Sequence, residues 1–194
     1  MRKVLLPFVA LSLPLGCAAP ADYPSQDELY DEPRDFNRFA MYSRGSEVVG
    51  ARVDQGGVLG LNVNLGRYTD PDDHALRGFV YGSLVNARVA GDRVQGLAAL
   101  LPFELAVAPV DDGLRGEGLV YGRQVTLLVG PRVVGGKVGR CRFNLVRKGP
   151  VYAGRRDCGG RVDQEQVELT IPRGFRTWSD TERVAALSLL LFLD

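Results

Sequence analysis

The sequence is short of the side chains that most often carry chemistry. Its 194 residues include one histidine, His74, and three cysteines. One imidazole does not build a multi-histidine metal centre. There is no P-loop, no G-x-S-x-G and no H-E-x-x-H, so nucleotide-cradling loops, the serine-hydrolase elbow and zincin sites lack their usual signatures. Long apolar runs are missing as well. Neither residues 4–15 nor residues 184–193 reach the roughly 20 residues that a spanning helix needs. Net charge is only +1, so the chain as a whole is neither strongly basic nor strongly acidic. Glycine, by contrast, is plentiful at 24 residues with no collagen-like period, which points to many turns and bulges.

The N-terminus has the plan of an export signal. Met1-Arg2-Lys3 is basic, and Val4 to Leu15 is apolar apart from Pro7, Ser12 and Pro14. Those prolines argue against a buried helix, because each removes a helix hydrogen bond. Gly16-Cys17 closes the run, followed by Ala18-Ala19-Pro20-Ala21. A small residue directly before a cysteine at this point resembles the bacterial lipobox. The resemblance covers only the first 17 residues, and Pro14 and Leu15 stand where lipoboxes usually have leucine and a small residue. It implies cleavage before Cys17 and a diacylglycerol on its sulfur, with a further acyl chain such as palmitate on its amine. It also implies a signal peptide over 1–16, and Ala18 resembles outer-membrane cargo. Ala19-Pro20-Ala21 offers a second cleavage site, which would release a soluble protein beginning at Asp22. Export by either route leaves Cys141 and Cys158 as an even pair, expected to form a disulfide in an oxidising compartment.

Residues 17–45 read as an acidic, proline-containing tether. Tyr23, Leu29, Tyr30, Phe36 and Phe39 would let such an arm order on a partner. Residues 46–174 read as a β domain, since apolar side chains recur with period two. Leu61, Val63 and Leu65 form one such set, then Val85, Ala87 and Val89, then Phe103, Leu105 and Val107, then Val125, Leu127 and Val129, and later Phe143 and Leu145, and Val167, Leu169 and Ile171. Alternation of this kind marks half-buried strands, and the short Gly-, Asp- and Pro-rich links between sets require antiparallel neighbours. Leu76-Arg77-Gly78 returns as Leu114-Arg115-Gly116, and Val80-Tyr81-Gly82 as Val120-Tyr121-Gly122, suggesting an internal repeat of about 40 residues. The expected fold is all-β: an antiparallel meander of about 10–12 short strands forming a barrel or sandwich, plus one C-terminal helix. A hairpin centred on Gly149-Pro150 would set Cys141 opposite Cys158. Proline sits awkwardly at the second corner of a common two-residue turn, so a longer loop is expected.

Residues 175–194 change character. Ser179-Asp180-Thr181-Glu182 is a capping-box pattern, and the apolar run after it covers the whole circumference of a helix. Such a helix is expected to be buried against the sheet, with Trp178 anchoring its start. Thr69-Asp70-Pro71-Asp72-Asp73-His74 reads as a polar turn rather than a calcium loop, with His74 solvated. From Arg123 to Arg161 there are ten basic residues and one acid. Arg140, Arg142, Arg147, Lys148, Arg155 and Arg156 are candidates for contact with anionic envelope material, because the guanidinium fork suits phosphate.

Taken together, these features suggest a non-catalytic cell-envelope lipoprotein. A membrane anchor at Cys17 would hold it, most simply at the outer membrane facing periplasm or exterior. Its partners would be the membrane, anionic envelope components or another envelope protein, with no cofactor, no metal and no nucleic acid. The alternatives are a soluble periplasmic or secreted binding module cleaved after Ala21, and an exported hydrolase without a recognisable motif.

Overall fold

The computed structural model describes residues 38–159 and 165–193. Cys17, both cleavage sites and most of the tether lie outside them. Fourteen strands follow one another along the chain: β1 (Arg38–Ser43), β2 (Ser46–Val53), β3 (Gly57–Gly60), β4 (Val63–Asp70), β5 (Asp73–Val80), β6 (Ser83–Ala90), β7 (Arg93–Ala98), β8 (Leu101–Val110), β9 (Gly113–Val120), β10 (Arg123–Val129), β11 (Val133–Val138), β12 (Cys141–Lys148), β13 (Val151–Asp157) and β14 (Glu165–Thr170). Each pairs antiparallel with the next, and β1 pairs with β14, so the meander closes into a barrel. Closure leaves no exposed strand edge. A 3-10 turn (Arg173–Thr177) leads into the helix α1 (Asp180–Leu190).

The all-β meander with a C-terminal helix is the expected architecture, with more strands than the 10–12 expected. One extra strand comes from the segment read as tether. Phe39 and Met41 of β1 point inward and are fully buried, and Ala40 and Met41 pair with Thr170 and Leu169 to close the wall. Phe39 is therefore core and not part of a partner-binding arm. The other strands missed are short or glycine-rich, such as β3 (GVLG) and β11 (VVGGKV), where few apolar side chains remain to show a period.

The interior explains why α1 belongs inside. An eight-stranded barrel is about wide enough for side chains alone to fill, and diameter grows with strand number. Fourteen strands leave a core that needs a further element. α1 supplies it, packing on β5 and on β7 through β10. Val184 through Leu190 are buried without a break, as a helix apolar on every side requires. Room for it comes from small residues on the wall. Gly116 of β9 lies under Val184, where a Cβ would come within 2.5 Å of Val184 Cγ1.

The hairpin turns alternate between two rims. One rim carries Arg44-Gly45, Leu61-Asn62, Tyr81-Gly82, Ala99-Leu100, Tyr121-Gly122 and Gly139-Arg140; it is called the tyrosine rim here. The opposite rim carries residues 54–56, Pro71-Asp72, Gly91-Asp92, Asp111-Asp112, residues 130–132 and Gly149-Pro150, and is called the aspartate rim. α1 enters from the aspartate rim and ends at the tyrosine rim.

The Gly149-Pro150 connection is a two-residue turn after all, since Lys148 pairs directly with Val151. Gly149 takes the left-handed first corner at φ 63°. The second corner of such a turn has negative φ, which the proline ring already supplies. An internal repeat is not established by this fold. The tripeptide beginning at Leu76 lies two residues out of step with the one beginning at Leu114, because Tyr81 and Tyr121 occupy matching turns 40 residues apart, not 38.

Candidate functional site

The disulfide forms as its spacing suggested. Arg142 faces Asp157 across the β12–β13 hairpin, so Cys141 and Cys158 are the next pair outward, and they are bonded to each other. The bridge sits at the tyrosine rim beside the end of α1, where Cys141 Sγ is 3.5 Å from the Leu193 carbonyl oxygen.

The six candidate anion-contact residues do not form one face. Arg142, Lys148 and Arg155 alternate with buried Phe143, Leu145 and Tyr152 and point outward. Arg156 lies opposite Phe143 in the register and so belongs to the inward-facing set. Arg147 folds over the aspartate rim, where it donates to the carbonyls of Gly149 (3.0 Å) and Pro131 (3.3 Å). Arg140 is at the tyrosine rim, a strand length away. Strand alternation and rim position scatter a run that looked continuous in sequence.

A polar cluster that the composition did not reveal sits where α1 enters. Glu182 is fully buried. Its carboxylate accepts from Arg67 Nε (2.7 Å) and Nη2 (3.0 Å) and lies 2.8 Å from His74 Nε2. The capping box is complete: the Ser179 hydroxyl accepts from the Glu182 N–H, and the Ser179 N–H donates to Glu182 Oε2 at 2.7 Å. Burial alone would push the Glu182 carboxyl up. The hydrogen bonds from Arg67, His74 and Ser179 outweigh it and bring the carboxyl down to about 2. The Arg67 guanidinium also lies over the Trp178 ring, 5.5 Å from its centre. Trp178 Nε1 donates to the Asp54 carbonyl at 2.8 Å, anchoring the start of the helix as expected. His74 is thus the second residue of β5, bound to the helix, and not a solvated loop residue. The turn preceding it is polar, with Asp70 Oδ1 accepting from the Asp72 N–H at 3.0 Å. A carboxylate held so far below neutral by a guanidinium and an imidazole is a poor proton acceptor. Its chemistry here is ion pairing that locks the plug. The capping box was the one sequence signal for Glu182, and nothing local in sequence pointed to Arg67, 115 residues away.

At the far end of α1, the Tyr81 hydroxyl donates to the Leu190 carbonyl at 2.6 Å, and the Tyr121 ring packs on Phe192 with centroids 4.7 Å apart. Burial pushes the Tyr121 phenol up to about 12 and moves Tyr81 in the same direction.

The outer wall is uneven. On β3 to β8 next to the tyrosine rim, Leu59, Phe79, Leu84 and Leu97 are exposed, and Leu61 and Leu100 stand at the turn tips with 73% and 82% of their surface in solvent. A shallow groove of about 290 Å³ runs between Leu61, Asn64 and Phe79. A second groove, of about 370 Å³, lies between Tyr42, Arg44, Lys148 and Glu168. Both open on the surface and not into the barrel. Among the described residues no group of three His, Cys, Asp or Glu side chains is placed to hold a metal. No helix among them is long and apolar enough to cross a membrane.

Comparison with family models, curated proteins and solved structures finds no match to this chain.

Proposed function

We propose that the chain is a non-catalytic cell-envelope lipoprotein held to a membrane through Cys17. On this reading its barrel works through the outer surface, by binding or organising other envelope material. The observation that carries the proposal is Gly16-Cys17 at the close of a basic-then-apolar leader. Two acyl chains or more at that cysteine give stable anchoring, where one would be marginal. The Cys141–Cys158 bridge is consistent with an oxidising compartment outside the cytoplasm. The filled interior bears on how such a domain would act. With α1 occupying the centre, a ligand would meet the wall, the rims or the surface grooves and not an internal cavity. That weighs against a soluble carrier that stores a ligand inside the barrel.

Intact mass of the protein purified from an exporting bacterium tests the proposal. A first residue at Cys17 carrying acyl mass supports it, and Cys17→Ala should then move the protein from the membrane to the soluble fraction. A first residue at Asp22 without acyl mass would replace it with a soluble periplasmic or secreted module.

A further inference from the structure

We propose that the tyrosine rim is a bilayer-docking surface that seats Leu61 and Leu100 into the headgroup region of a membrane containing anionic phospholipid. The inference shares with the proposed function only the idea that the protein works beside a membrane.

Three observations carry it. First, the exposed large apolar side chains of the wall are concentrated near this rim, on neighbouring strands. Phe79 and Leu84 face each other across β5 and β6, and Asn64 separates Phe79 from Leu59. Strands about 4.8 Å apart make the arc from β3 to β8 roughly 24 Å wide. A contiguous apolar patch on a soluble surface marks an interaction site.

Second, charge selects the partner. On the arc from β3 to β8, the three turns at this rim, Leu61-Asn62, Tyr81-Gly82 and Ala99-Leu100, carry no acidic residue; elsewhere the rim mixes Arg44, Arg123 and Arg140 with Glu47 and Asp157. On the same arc the opposite rim carries Asp54, Asp72, Asp92, Asp111 and Asp112. An anionic surface repels the aspartate end of this arc and not its leucine-bearing end, which turns the barrel with Leu61 and Leu100 toward the lipid.

Third, the Ala99-Leu100 turn is built against backbone preference. Both residues have left-handed φ, 52° and 63°, in a turn type that favours Asn-Gly. A β-carbon in that conformation is strained, and strain kept at an exposed tip points to use of the side chain it presents. Leucine at a loop tip is suited to inserting beside acyl chains.

The test uses the full chain as exported and processed, with vesicles of phosphatidylcholine alone or mixed with phosphatidylglycerol, some lipids carrying brominated acyl chains. The native Trp178 is buried, so an added tryptophan reports its own depth. Leu100→Trp should be quenched by the brominated lipids, and Asp112→Trp at the opposite rim should not. Phosphatidylglycerol should strengthen the quenching, and added salt should weaken it. Adding Leu61→Ser to Leu100→Trp should lower the quenched fraction by about tenfold with an unchanged unfolding midpoint, a readout that the Cys17 anchor does not mask. Leu100→Trp emission that stays unquenched on vesicles carrying the protein would overturn the proposal and assign the patch to a protein partner or a second copy. Equal quenching at both rims would overturn it as well. Failure of the Cys17 anchor is read separately, from the mass and fractionation, so either idea can fall without the other.

Discussion

At the scale of single residues, the junction between barrel and plug depends on one carboxylate. Glu182 is buried and ionised because Arg67, His74 and Ser179 surround it. Its folded value of about 2 lies below the 4.5 expected in an unfolded chain. The stability it supplies is therefore complete above about pH 4.5 and is lost as pH falls toward 2. Glu182→Gln is expected to cost on the order of 2 to 3 kcal/mol at pH 7. The gap between variant and wild type should close near pH 2, as read from urea denaturation at each pH. A gap of the same size at both values would mean that packing, not charge, holds the junction. The two rim tyrosines give a paired contrast. Tyr81→Phe removes a hydrogen bond to the end of α1 and should cost about 1 kcal/mol. The Tyr121 hydroxyl is buried with no partner among the described residues, so Tyr121→Phe should be neutral or slightly stabilising in the same denaturation assay.

At the scale of elements, turns and strands differ in how openly they are written. Val85, Ala87 and Val89 in β6, Phe103, Leu105 and Val107 in β8, and Val125, Leu127 and Val129 in β10 all face inward as their alternation says. Leu61 breaks its set. It belongs to a turn tip, while Val63 and Leu65 face the core. Odd-numbered strands were harder to read because several place glycine where their neighbours place large residues. Gly96 faces Phe103, Gly136 faces Phe143 and Gly154 faces Leu145. Small against large around the wall is how a barrel interior is fitted, but it erases the apolar period on one strand of each pair. The turn at Ala99-Leu100 carries a prediction of its own. Ala99→Asn with Leu100→Gly matches the preferred turn chemistry and should raise stability by about 1 kcal/mol, measured as an upward shift in thermal midpoint. A midpoint that falls would show that the wild-type turn is held by contacts beyond its backbone.

At the scale of the whole molecule, the bridge and the plug act on the same rim. Cys141–Cys158 closes a separation of 17 residues, worth about 3 kcal/mol in the chain-entropy view. Cys158→Ser is expected to lower the thermal midpoint by roughly 6 to 12 °C for a chain of this size. An unchanged midpoint would mean that closure through β1 and β14, with the helix inside, already fixes that corner. The candidate sites were only partly legible. The cysteine pair and the capping box lie within local sequence patterns and were found. The Arg67–His74–Glu182 cluster was not, because its members meet only once the wall has curled around α1. The basic run between Arg123 and Arg161 misled in the opposite direction: neighbours in sequence were carried to different faces and to both rims.

By itself, the sequence determined the strand period, the antiparallel order, the start of the helix and the pairing of the two cysteines. Each of these rests on contacts between residues close along the chain or joined by one hairpin. Only the tertiary structure decided that the meander closes on itself, that α1 lies within it, and which leucines are left exposed together at the tyrosine rim. Those outcomes depend on the curvature summed over fourteen strands and on the volume that curvature encloses, which no local pattern encodes.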